Sequence, residues 1–503
     1  MLDSMPLARY AAEHWIDHAK SGGMNSSVLQ LILHLFAPES APFKNWIRIH
    51  DIGRDPISWS VLGPMNLEKR DFCSPLYYSS LAGMQEVSVC LLKRLENANA
   101  KGGRFGNPLQ AASYNGHVAI VKLLLENGAE VNAEGKEYRN ALQAASYMGN
   151  EAIVNLLLEN GAEVNAERGQ YGNALQAASC EGHDAIVKLL LENGAEVNAK
   201  GGEYGNALQT ATYMGNEAIV KLLLENGAEV NAEGGKYGNA LQAALCKGND
   251  TIVKLLLENG AEVNAGQNVN ALQKATCNGN EAIVKLMLEK GAEVNAEGGE
   301  YGSALQAASY MGNEAIVKLL LENGAEVNTM RGRFENPLQA ASYEGHDAIV
   351  KLLLENGAEV NAEGGRYGSA LKAASCKGHD AIVKLLLENG AEVNAEGGEY
   401  GRALQAASYM GNEVTVKLLL VNGAEVNAEG GHYGNALQTA SYMGEEAIVK
   451  LLLENGAEVN TEGGQYGNAL QAASYRGNET IVKLLLKHGA EVNAEVGDRK
   501  SVV

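Results

Sequence analysis

A phrase that returns every 33 residues constrains this chain more than any other feature. The leucine of "ALQAAS" and its variants falls at Leu109, Leu142, Leu175, Leu208 and Leu241, then at Leu272, Leu305, Leu338, Leu371, Leu404, Leu437 and Leu470. One interval, Leu241 to Leu272, is two residues short, and a weaker copy, Ser74-Pro-Leu-Tyr-Tyr78, stands one period before Leu109. Thirteen units therefore run from about residue 70 to about 495. A fixed period of this length marks an array that grows by adding units, so 503 residues need not be divided among ordinary domains.

The unit from Asn140 to Ala166 shows why each copy should fold as two short helices. Asn140 can accept from the exposed amides of a first turn and so start a helix. The run Ala-Leu-Gln-Ala-Ala-Ser-Tyr-Met follows, with Ala144 and Ala145 small enough for close helix approach, and Gly149 can end it in the left-handed conformation. A second helix follows Asn150, with Ile153, Val154, Leu156, Leu157 and Leu158 as its expected apolar side, and Gly161 ends it by the same device. Neither helix is long enough to persist alone in water, so each pair must bury its apolar side by stacking on neighbours.

The period, the loop–helix–helix order and the phrase "GHVAIVKLLLENGAEVNA" from Gly116 to Ala133 resemble ankyrin repeats. The resemblance implies an all-α ankyrin-repeat solenoid whose hairpin fingers and first helices form a concave binding face. The chain departs from the family pattern consistently. Asn-Ala-Leu-Gln stands where the family reads Thr-Pro-Leu-His, with proline kept only at Pro75, Pro108 and Pro337. The usual Asp and Gly of the hairpin tip become Gly and Tyr, as at Gly169 and Tyr171. The hairpin hydrogen bonds of the family must therefore be replaced or lost.

Residues 1–70 lie outside the repeat and hold all three tryptophans, Trp15, Trp46 and Trp59. Helices are expected near Leu7–Ala19 and Ser27–Phe36, forming a cap over the first repeat, since solenoids need their end faces covered. The segment Pro6–Ala19 resembles the stretch that links a NACHT NTPase to ankyrin repeats in fungal NOD-like receptors, which implies a receptor's sensor arm. No Gly-x-x-x-x-Gly-Lys-Ser/Thr loop occurs in the chain. The expected division is thus a helical cap or linker over 1–70, the array over 71–495, and a polar tail over 496–503.

The net charge of −21, from 40 basic and 61 acidic side chains, argues against a phosphate backbone or an anionic membrane as partner. Six cysteines in this length read as reduced thiols, and with no leader segment in view the expected location is cytoplasmic, or nuclear. His14 and His18 have the spacing of a metal pair on a helix but lack a third ligand, and read as the polar face of the cap. His117, His183, His346 and His379 share a column with Asn150, Asn216 and Asn249, which suits capping of the second helix. No catalytic constellation, metal site, cofactor motif or small-molecule substrate site is expected.

Near-identical repeats allow an internal comparison. The core columns barely change, whereas variation gathers at the end of the first helix and in the residue before the hairpin aromatic. The candidate partner-binding residues are therefore Tyr114, Tyr147, Met148, Glu181, Tyr213, Met214, Lys247, Tyr310, Met311, Tyr343, Glu344, Lys377, Tyr409, Met410, Tyr442 and Met443. Tyrosine and methionine would anchor a protein partner, and Glu and Lys would set specificity. Beside them runs an aromatic ladder of Phe105, Tyr138, Tyr171, Tyr204, Tyr237, Tyr301, Phe334, Tyr367, Tyr400, Tyr433 and Tyr466, either packing between fingers or offering edges to the partner. It breaks at Asn268, where a kink or a retracted finger is expected. The function expected is protein recognition without catalysis. The alternatives are a regulatory subunit that masks an enzyme and a truncated, non-functional receptor fragment.

Overall fold

The computed structural model describes residues 6–21, 25–37, 73–135, 138–166, 171–265, 271–330, 332 and 336–492. Among them are 28 helices, no strand longer than an isolated bridge, and no cis peptide. Helices α1 (Pro6–Ser21) and α2 (Ser26–Leu35) come first, and thirteen helical pairs follow, beginning with α3 (Pro75–Ala82) and α4 (Gln85–Lys93). The chain forms two compact units, Met1–Ala261 with α1, α2 and six pairs, and Glu262–Val503 with seven. Each is a stack of ankyrin-type pairs.

Local chemistry sets every pair. Asn140 has extended backbone and its Oδ1 accepts from the Gln143 amide at 2.8 Å. Gly149 takes φ +77° and Gly161 φ +82°, the left-handed turns expected at both helix ends. In the first helix Ala141 to Ser146 are all buried, because neighbouring first helices close on both sides of the small alanines. In the second helix only Ile153, Val154 and Leu157 are buried. Leu156 and Leu158, expected with them, are half-buried, since a helix lying on one side of a layer buries a single stripe. Each fully buried leucine of this kind is worth about 1.5–3 kcal/mol.

The column expected to cap second helices does something else. His117, His183, His346, His379, Asn150, Asn216 and Asn249 make no side-chain bond to the helix they precede. Their side chains reach back to the preceding repeat. Nε2 of His183, His346 and His379 donates to the carbonyls of Tyr147, Tyr310 and Tyr343, each at 3.0 Å, and Asn216 Nδ2 donates to Ser179 O at 3.0 Å. The last carbonyls of a helix lack partners within it, and these side chains supply them. Asn280 and Asn313 do cap, accepting from Ile283 N and Ile316 N.

The bonds between fingers are replaced rather than lost. Gln176 Oε1 accepts from Asn173 N at 2.8 Å, while its Nε2 donates to Ala199 O and Gly205 O of the next finger, each at 2.9 Å. Gln143, Gln209 and Gln438 repeat the bridge. A second clamp was not expected. Asn165 Nδ2 donates to Gly194 O at 3.1 Å while its Oδ1 accepts from Glu196 N at 2.8 Å, and asparagines from Asn99 to Asn460 do the same.

Helices α1 and α2 fall where they were expected. Ile32, Leu33 and Phe36 are buried, the Trp15 and Phe36 rings meet edge-on at 6.2 Å, and α2 packs on α4. The remainder of the N-terminal segment, Phe334, the Asn268 ladder break and the tail from 493 lie outside the described residues. None of the six cysteines is disulfide-bonded.

Candidate functional site

The residues singled out in the repeats come together on one face of each unit, where first helices end and fingers fold over them. The two sets expected to act separately interleave into one stack of rings. In the first unit Phe105 and Tyr114 stack at 4.4 Å, Tyr114 meets Tyr138 at 5.2 Å, Tyr138 meets Tyr147 at 5.3 Å, and Tyr147 stacks on Tyr171 at 4.5 Å. Tyr204, Tyr213 and Tyr237 form a second run, spaced by 4.8 and 4.5 Å. In the second unit Tyr301 meets Tyr310, and Tyr343 meets Tyr367. A further run joins Tyr400, Tyr409, Tyr433, Tyr442, Tyr466 and Tyr475.

These spacings are those at which aromatic pairs gain beyond simple burial. Two interruptions have a sequence cause: where the helix-end residue is Cys180 or Cys376, a thiol stands in the ring column. Burial pushes the Tyr147 and Tyr367 hydroxyls up, and those of Tyr433 and Tyr466 to about 12, the last chiefly through its bond to Tyr442. These hydroxyls are neutral at ordinary pH, so the charge of the face comes from its Glu, Lys and Arg side chains.

Exposure differs within the helix-end pairs. Tyr475 is exposed, but the other helix-end tyrosines are half-buried in the stack, whereas Met148, Met214, Met311 and Met410 are 40%, 37%, 43% and 42% exposed. Met443 and Glu344 are half-buried, and Glu181, Lys247 and Lys377 are exposed. The Lys247 and Lys377 ammoniums sit over the Tyr213 and Tyr343 rings, 4.1 and 4.4 Å from their centroids. Fingertip charges also pair between neighbouring fingers, Lys236 with Glu203 at 3.2 Å and Arg366 with Glu399 at 2.6 Å. The uniform Glu and Lys columns of the second helices pair one turn apart, as Glu217 with Lys221 at 2.5 Å and Glu314 with Lys318 at 2.5 Å. Such exposed pairs add little stability.

The repeat geometry agrees with family comparison. The family described as "Ankyrin repeats (3 copies)" matches residues 129–201, 175–267, 241–331, 305–397 and 399–496, and "Ankyrin repeat" matches 107–136. The chain belongs to the ankyrin-repeat family. Members of this family are typically non-catalytic and bind other proteins. This ankyrin array is 37% identical over 117 residues to the azaphilone pigments biosynthesis cluster protein L of Monascus ruber, a match covering 21% of this chain and 24% of that protein. The chain thus spans about a quarter of that relative's length. Among solved structures, the ankyrin repeat domain of human ASB11 is 29% identical, covering 42% of this chain and 96% of that one, with a TM-score of 0.39.

The asparagine clamp of this ankyrin array was written in the sequence as an invariant column, Asn132 to Asn460, but its direction of reach is set by tertiary contact. Among the described residues no helix is long and apolar enough to cross a membrane, and no group of His, Cys, Asp or Glu could hold a metal ion.

Proposed function

We propose that the protein is a non-catalytic recognition scaffold that holds a protein partner against the face of tyrosine stacks and methionines. The observation that carries this is the division of labour within four helix-end pairs, Tyr147-Met148, Tyr213-Met214, Tyr310-Met311 and Tyr409-Met410. The tyrosine is locked in the stack as a rigid floor, while the methionine beside it stays exposed although apolar. Exposed methionines are adaptable contact groups, and repeated apolar exposure on one face is costly unless a partner uses it. A net charge of −21 favours a neutral or basic partner over nucleic acid or an anionic membrane.

The resemblance of residues 6–19 to receptor linkers supports a finer reading, the sensor arm of a fungal NOD-like receptor system, with the N-terminal helices capping the array. A cytoplasmic or nuclear location fits six cysteines that form no disulfide.

The test replaces Met148, Met214, Met311 and Met410 by glutamate in the full chain and compares proteins captured from lysate with those captured by the native chain. These positions leave the ring stack intact, which substitution of Tyr213 or Tyr310 would not. Loss of the captured partner with an unchanged unfolding temperature is expected. An unchanged captured set overturns the reading.

A further inference from the structure

Three repeats show what the ring column does with a cation. Lys247, following Cys246, stands over Tyr213 of the preceding repeat, and Lys377, following Cys376, stands over Tyr343. Arg476 covers Tyr442 in the same way, 4.8 Å from the ring centroid. At Cys180 the pattern inverts, because the next residue is Glu181 and the ring it faces is Tyr147. The place that holds a cation two repeats later holds a carboxylate here.

The same place is a pocket of about 270 Å³ whose lining includes Tyr147, Tyr171, Cys180, Glu181, Tyr204 and Met214, and Glu203 as well. It occupies the gap between two runs of the stack, where Cys180 leaves out one ring. No lysine or arginine is among its described lining residues. Glu181 is near enough to the Tyr147 hydroxyl and the Cys180 thiol for its charge to raise both, and Glu203 is paired with Lys236 at 3.2 Å. Burial first, then Glu181, pushes the Cys180 thiol up to about 11. The thiol is therefore neutral, and the pocket's charge is that of its carboxylates.

We propose that this pocket receives one arginine side chain of the protein partner, its guanidinium sliding between the Tyr171 and Tyr204 rings in place of the missing ring and bonding Glu181. The proposal rests on the reading that this face binds protein, and names the chemistry it selects. A missing ring in a stack calls for a planar group, and guanidinium alone among the cationic side chains is flat, stacks on tyrosine and meets a carboxylate with two parallel donors. The ammoniums of Lys247 and Lys377 reach single ring faces, which needs no planarity.

The test titrates the full chain, labelled with ¹³C-methyl methionine, with the peptide Ac-Gly-Arg-Gly-NH₂, and follows the Met214 methyl signal. Citrulline and lysine versions of the peptide serve as comparisons. The arginine peptide should move the Met214 signal saturably, and the citrulline peptide should bind at least tenfold more weakly, with lysine between them. Glu181→Lys supplies an internal cation and Cys180→Tyr restores the ring found in other repeats, so each should abolish the response while leaving the other methionine signals in place. Glu344→Lys, where no ring is missing, should not. A silent Met214 signal, an equal response to citrulline, a preference for lysine, or a response that survives Cys180→Tyr overturns the proposal. The methionine variant described above fails separately: capture lost without an arginine response sinks the pocket and keeps the face.

Discussion

Lys247 places its Nζ 4.1 Å from the centroid of the Tyr213 ring, which is itself stacked between Tyr204 and Tyr237 at 4.8 and 4.5 Å. The hydroxyl of Tyr213 is held below the usual tyrosine range, first by its bond to Tyr237 and then by Lys247, whose cation favours the tyrosinate. Lys247→Met should therefore move the Tyr213 titration to higher pH. Ultraviolet difference titration of the variant, referenced to Tyr213→Phe, checks this, and an unmoved curve contradicts it.

Gln176 is buried and uses both ends of its amide. Gln176→Leu keeps the volume but strands the Asn173 amide and the Ala199 carbonyl of the next finger, while Gly205 O keeps its bond from Gly201 N at 3.0 Å. Buried groups left without partners cost about 1–3 kcal/mol each at the strong end, so a loss of about 2–3 kcal/mol is expected after partial rehydration at the finger. Urea denaturation measures it, and a loss below about 1 kcal/mol would show that the fingers hold without the bridge.

Asn165 joins two repeats through one donor and one acceptor. Asn165→Ala should cost about 1 kcal/mol, the net worth of such bonds near solvent. Asn165→Asp keeps the acceptor for Glu196 N but sets a carboxylate against the Gly194 carbonyl, so it should be no better than alanine. Hydrogen exchange at the Glu196 amide separates the two. It should quicken in the alanine variant and stay slow in the aspartate one.

Lys372 stands in the glutamine column, buried, with Nζ donating to Glu396 O at 2.8 Å, Gly397 O at 3.2 Å and Ala395 O at 3.4 Å. Burial pushes its ammonium below the usual lysine range, against the pull of Glu363 and Glu396. Folding therefore disfavours the charged form. At neutral pH both states are protonated and the penalty is full. As pH rises through the lowered value towards the ordinary one near 10.4, the unfolded state holds more protons and stability climbs. Lys372→Gln should thus be more stable than the native chain at pH 7, by about 1 kcal/mol, with the advantage shrinking by pH 10. Thermal melts at the two pH values test it, and an advantage that does not change with pH rules the explanation out.

Much of the fold was legible from position alone. Asn140, Gly149 and Gly161 act through bonds within a few residues of themselves, so a single unit predicts its own caps and helices. The His183 and Asn216 column misled for the opposite reason. A side chain just before a helix has a local partner in the first turn, and only the neighbouring repeat's exposed carbonyls, brought close by stacking, offer a better one. The same limit hid the site's organisation. Tyr147 and Tyr171 lie 24 residues apart and read as members of two columns, yet they stack at 4.5 Å and bond hydroxyl to hydroxyl.

By itself, the sequence determined the repeat, its two helices, their glycine stops and the buried alanine and leucine columns, because these follow from chain-local geometry and a period that must bury one side. Tertiary structure alone decided which side chains reach across repeats. It turned the histidines into staples, the glutamines into bridges between fingers and two aromatic columns into one stack, and it made Cys180 a gap in that stack. Those outcomes depend on distances between units about 33 residues apart, which stacking sets and no single unit contains.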